Sequence, residues 1–178
     1  MRLVDRYRQA GWKITLINPK ATPKTFKLKF STNGSPGNYS HFLVAKDAER
    51  IQIRHQLRVR TKWATKDNPA NMVCDVAVIK DYDLELYQSS DGLPNGALIT
   101  FCECKHMSAF SELIASFIGV VNELQPFRLA RLKKLNQTLH PSPFLFISGT
   151  LLKSAEMMKE SVMRRRYDCR VLTLNERI

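Results

Sequence analysis

Two runs in the middle of this chain, Met72–Ile79 and Ala97–Lys105, are apolar almost throughout. A strand of that kind has no wet face. It belongs at the centre of a sheet, with other layers covering it. A stripe at helical spacing follows the second run: Phe110, Leu113, Ile114, Phe117, Val121 and Leu124. A chain of 178 residues, 44% apolar and 25% charged, is long enough to bury such a centre in one domain.

The flanking segments complete the order of elements. Residues 2–10 read as a short helix carrying Leu3, Val4 and Tyr7, ended by Gly11. Trp12–Ile17 reads as a strand. Residues 18–41 hold Asn18-Pro19, Pro23, Asn33-Gly34 and Ser35-Pro36-Gly37, which are turn signals around an alternation of Phe26, Leu28 and Phe30. They are expected to form a loop or hairpin insertion in a single domain spanning 1–178. Phe42–Ala45 and Ile51–Arg60 read as hairpin arms joined by a tight turn at Lys46–Glu49. In the second arm Ile51, Ile53, His55, Leu57 and Val59 share one parity, and Gln52, Arg54, Gln56, Arg58 and Arg60 share the other. A helix is expected from about Ser108 to Leu124 and a basic helix from Phe127 to Leu139. A short strand at Phe144–Ile147, a helix at Leu152–Arg166 and a last strand at Cys169–Leu174 follow. This order gives an α/β fold, a central mixed β-sheet flanked by helices.

Charged residues interrupt the two apolar runs. Asp75 stands in the first, and Glu103 and Lys105 end the second. Residues two apart on a strand point to the same side, so Glu103 and Lys105 share a face. Charges at the ends of apolar strands need compensation. A divalent cation held by Asp75 and Glu103 would supply it. Mg²⁺ prefers oxygen ligands and keeps several waters, leaving room for phosphate oxygens. Lys105 would orient or deprotonate an attacking water, or offset charge in the transition state. The simpler reading is a surface ion pair of Glu103 with Lys105 and a turn-capping Asp75.

This constellation resembles the PD-(D/E)xK nuclease superfamily, with the restriction-endonuclease-like fold. Asp75 matches its first acid, Glu103 its second, and Lys105 its lysine. The helix, three-strand meander, helix and further strands of that family match residues 1 to about 150, with one insertion. Cys74 stands where the family's proline usually precedes the first acid. The resemblance implies Mg²⁺-dependent phosphodiester hydrolysis, with Mn²⁺ as a substitute, most often as a DNA endonuclease. It also suggests a defence setting; the sequence leaves a homodimer or a larger nuclease assembly open and does not determine the oligomeric state. Many members place an acid on the first helix. Asp5 is the acid available there, with Glu49 and Glu112 as further candidates.

The charge balance points the same way. Twenty-eight Lys and Arg against 16 Asp and Glu give +12, an excess that favours a polyanionic partner. Nucleic acid is the expected partner, DNA ahead of RNA, with an anionic membrane surface or plain solubility as the alternative readings. The contact candidates are Arg54, Arg58, Arg60, Lys62, Trp63, His106, Arg128 and Arg131, in separate basic clusters, with Trp63 as a stacking group. No apolar window of about 20 residues marks a membrane span. The first residues lack the apolar core of a secretory signal, so the cytoplasm is the expected location. No phosphate-binding glycine loop occurs.

Cys74, Cys102 and Cys104 have the parity opposite to the acids and read as small apolar residues under the sheet. Ala115, Gly119 and Asn122 read as a flat helix side for close packing. The alternative function is a non-catalytic nucleic-acid-binding module, or an assembly subunit, on the same fold.

Overall fold

A computed structural model describes residues 2–20, 23–30, 34–82, 84, 92–130 and 139–176. The chain divides into two compact units, residues 1–99 and residues 100–177. The described residues form seven strands and three α-helices. Strands pair antiparallel in the first unit and parallel in the second, so the class is α/β with mixed strand directions. No described helix is long and apolar enough to cross a membrane.

The first unit opens with α1, Arg2–Gln9, which buries Leu3, Val4 and Tyr7. Its end is set by Gly11, whose φ of 82° is open to glycine and strained for other residues. That turn lets the Trp12 N–H donate to the Tyr7 carbonyl and the Gly11 N–H to the Arg8 carbonyl, both at 3.0 Å. This is the Schellman pattern, and its usual apolar contact is the edge-on pair of Tyr7 and Trp12.

Four strands follow as an antiparallel meander: β1 (Lys13–Ile17), β2 (His41–Lys46), β3 (Glu49–Arg60) and β4 (Asn71–Lys80). The β2–β3 hairpin turns on Asp47, in the left-handed region at φ 51°. Cross-strand partners lie on the same face. One face carries Val44, Ile51, Ile53, Val59, Cys74 and Val78, all buried. Each large side chain there contributes about 1.5–3 kcal/mol relative to exposure. The opposite face carries His41, Gln52, Arg54, Gln56, Arg58 and Asp75. It is less dry, yet Gln52 and Arg54 are buried on it as well. Beyond the end of β2, the edge of β3 is taken up by Leu93, which exchanges backbone hydrogen bonds with Arg58 and Arg60.

The second unit contains β5 (Leu98–Lys105) from its third residue on, β6 (Phe144–Ile147) and β7 (Arg170–Thr173), parallel neighbours in that order. Parallel neighbours need a crossover. α2 (Ser111–Leu124) joins β5 to β6, and α3 (Lys153–Arg165) joins β6 to β7. α2 buries Ile114, Phe117, Val121 and Leu124 of the stripe read from the sequence, while Leu113 is half-buried and Phe110, ahead of the helix, is 40% exposed.

Several expectations change. Residues 26–30 form no strand: Phe30 is 90% exposed while Lys29 is buried. Their alternation has no ladder partner to give it meaning. Ala115, Gly119 and Asn122 face solvent, and a Cβ on Gly119 would meet nothing within 4 Å. The packing side of α2 is its apolar stripe alone. Cys74 and Cys102 are buried, but Cys104 is exposed. The expected basic helix begins as a 3₁₀ turn at Pro126–Leu129, and residues 131–138 lie outside the described residues.

Candidate active site

The carboxyl end of β5 brings Glu103 and Lys105 to one face. Lys105 Nζ lies 3.2 Å from Glu103 Oε2. The Glu103 side chain is 13% exposed and that of Lys105 is 35% exposed. The acid is thus drawn into the edge of the unit while the ammonium keeps access to solvent. In a parallel sheet, the crevice beyond the carboxyl ends of the strands is the customary ligand site.

The loops beyond these strands are fixed to each other. The Ala109 N–H donates to the Thr150 carbonyl at 2.8 Å, and the Leu152 N–H donates to the Ala109 carbonyl at 2.9 Å. Gly149 sits against Met107 so closely that a Cβ would fall 2.4 Å from the Met107 carbonyl oxygen. Only a residue without a side chain allows that approach. His106 and Ser148 are hydrogen-bonded at 2.5 Å, and Ser108 and Thr150 at 3.1 Å. His106, a contact candidate, is therefore exposed on an ordered rim.

Asp75 belongs to the first unit, half-buried on β4. Its Oδ1 accepts a hydrogen bond of 2.8 Å from Gln56 Nε2. Gln56 lies directly across the β3–β4 register, where the bridge between two paired neighbours is missing. The cause is its backbone: φ is 49°, a conformation that is uncommon outside glycine.

The remaining candidates divide by environment. Lys62 and Trp63 are exposed in the loop after β3, Trp63 at 62%. Arg58 is half-buried and donates to Asn71 Oδ1 at 2.9 Å. Arg60 is half-buried at the end of β3. Arg128 turns inward and pairs with Asp168, with side-chain exposures of 11% and 16%. Ser142 Oγ also donates to Asp168, so Arg128 stitches the second unit together. Arg131 lies outside the described residues. Of the helix and turn acids, Asp5 is half-exposed and paired with Arg8 at 2.8 Å, while Glu49 and Glu112 are exposed.

A second polar group was not read from the sequence. Arg54 Nε donates to Gln52 Oε1 at 2.7 Å, and Gln52 Nε2 donates to Asp81 Oδ1 at 2.7 Å. Arg50 pairs with Asp81 Oδ2 at 2.9 Å. His41 Nε2 accepts from Arg54 Nη2 at 3.2 Å, which requires a neutral imidazole at that nitrogen. Burial, then the neighbouring Arg54, depresses the His41 pKa to about 4. Burial lowers that of Arg54 to about 10, against the pull of Asp81. The signal in the sequence was the polar parity of β3, which does not say whether a polar face is covered.

Among the described residues, no three His, Cys, Asp or Glu side chains gather as a metal-binding group. Asp75 and Glu103 are hard oxygen donors. Each stands on its own unit and offers oxygen donors of the kind hard cations take. No protein-family model, curated protein or solved structure matches the chain.

Proposed function

We propose that the protein is a divalent-metal-dependent phosphodiesterase, cutting DNA by preference, with Asp75 and Glu103 as metal-binding carboxylates and Lys105 as the working ammonium. The observation that carries this reading is the Glu103–Lys105 pair at the carboxyl end of β5. A carboxylate that is nearly buried beside a solvent-accessible ammonium is suited to chemistry on an anionic substrate. Mg²⁺, when bound, supplies Lewis acidity and a more acidic water. Lys105 orients that water or offsets charge on the phosphoryl oxygens. Gln56 holds one Asp75 oxygen, which limits rotation of the carboxylate. The net charge of +12 draws the polyanion in. The reading also rests on the PD-(D/E)xK resemblance of the sequence, from which the restriction-endonuclease-like fold is proposed.

The test is Mg²⁺- or Mn²⁺-dependent cleavage of circular and linear DNA by wild type, Glu103→Ala and Lys105→Ala. Cleavage of circles by wild type alone, with all three folded, supports an endonuclease. DNA binding without cleavage by folded wild type points instead to a non-catalytic module.

A further inference from the structure

Arg54 is 8% exposed, yet it is a cation whose hydrogen-bond partners are all neutral. Its guanidinium donates to Gln52 Oε1, to the Pro36 carbonyl at 3.0 Å and to His41 Nε2. Among the described residues it makes no ion pair. Asp81 is reached only through Gln52 and is itself paired with Arg50. Arginine has five N–H donors, and the three contacts do not use them all. Asp81 attracts Arg54 without pairing with it, and Arg50 already holds that carboxylate, so the group keeps a net positive charge that an anion from outside would balance.

The way in is open. Arg54 lines a cleft of about 550 Å³ together with Asn18, Lys20, His41, Gln52, Asp81 and Tyr82. That volume suits a small ligand. Lys20 is exposed and adds a second positive charge, while Tyr82 and Ile17 offer apolar surface beside it. With Asp81 already paired to Arg50, Arg54 and Lys20 leave the cleft net positive by two, which favours a dianion over a single carboxylate. The guanidinium fork fits phosphate oxygens. Because Arg54 is enclosed, a duplex backbone lying across the surface does not reach it, whereas a terminal phosphate entering the cleft does.

We propose that this cleft binds a phosphate monoester, with Arg54 as the buried counter-charge and Lys20 at its mouth. Arg54 is two residues along β3 from Gln56 and on the same face as Asp75. The anion site stands on its own geometry. Its assignment to nucleic-acid chemistry rests on the proposed function. The phosphate comes either from a free nucleotide or from a phosphorylated strand end.

The test is thermal melting of the full chain at constant ionic strength. The probes are inorganic phosphate, a 5′-mononucleotide, and one oligonucleotide with and without its 5′-phosphate. Wild type should gain about 4 °C in Tm when phosphate is tenfold above its Kd. Arg54→Gln should lose that gain. Lys20→Glu alters an exposed position and leaves the fold alone, and it should weaken phosphate binding about tenfold or more. Glu103→Ala should keep the full phosphate shift even where cleavage is abolished, which separates the two readings. Stronger binding of the phosphorylated oligonucleotide than of the mononucleotide assigns the strand end, and the reverse assigns the free nucleotide. No shift in wild type, or equal shifts in wild type and Lys20→Glu, overturns the site.

Discussion

Gln56 reaches across the sheet to Asp75 with a hydrogen bond of 2.8 Å, from a backbone position where φ is 49°. The residue that steadies the proposed metal-binding acid is thus held in a conformation that costs about 1–2 kcal/mol outside glycine. The two effects separate by mutation. Gln56→Gly relieves the backbone and removes the amide, so Tm should change by no more than about 3 °C. Cleavage should fall about tenfold as Asp75 loses its restraint. Calorimetry beside a cleavage assay reads both. A fall in Tm of 10 °C with unchanged cleavage would assign Gln56 a structural role.

Glu103 and Lys105 should show the reverse of a stability pair. Their ion pair is partly solvated, and pairs of that kind contribute little to folding. Glu103→Gln and Lys105→Met should therefore melt within about 3 °C of wild type. Both should lose about 10²-fold or more in cleavage rate. Parallel loss of stability and activity would place the pair in the scaffold.

Arg128 and Asp168 should behave oppositely. Both are largely buried, so removing one strips a largely buried charge of this partner. Asp168→Asn or Arg128→Met should destabilise by about 3–5 kcal/mol. The double variant should recover much of that loss. DNA binding by folded protein should be unaltered in salt dependence, since Arg128 is turned away from solvent. A salt slope reduced by about one unit in Arg128→Met would restore it as a phosphate contact.

The Arg54 cluster predicts a pH dependence. The folded protein takes up a proton on His41 only near pH 4, whereas the unfolded chain does so near 6.5. Between those values the unfolded state binds more protons, so stability rises with pH through that window and levels off above it. Burial, then Lys29 and Arg54, lowers the His55 pKa as well and adds in the same direction. His41→Gln should reduce the slope of Tm between pH 4 and 6.5 while leaving the plateau shape above. An unchanged slope would show that His41 is not the titrating group.

The central strands, the α2 stripe and the shared face of Glu103 and Lys105 were legible because periodicity alone determines them. The parity of Ile51 to Val59 likewise named the dry face of β3. Burial of Gln52 and Arg54 was not legible, since alternation distinguishes two faces without saying what covers the polar one. The left-handed backbone of Gln56 leaves no mark in composition. The alternation of Phe26, Leu28 and Phe30 misled because a strand also needs a neighbour to pair with. Arg128 read as a surface cation because its partner Asp168 stands 40 positions away.

Gly149 and Met107 lock the loops after β6 and β5 into a single piece. A rim that is already ordered loses little conformational freedom when a ligand settles on it. Recognition there would be lock-like, with association limited by diffusion and charge steering and not by slow rearrangement of the loops.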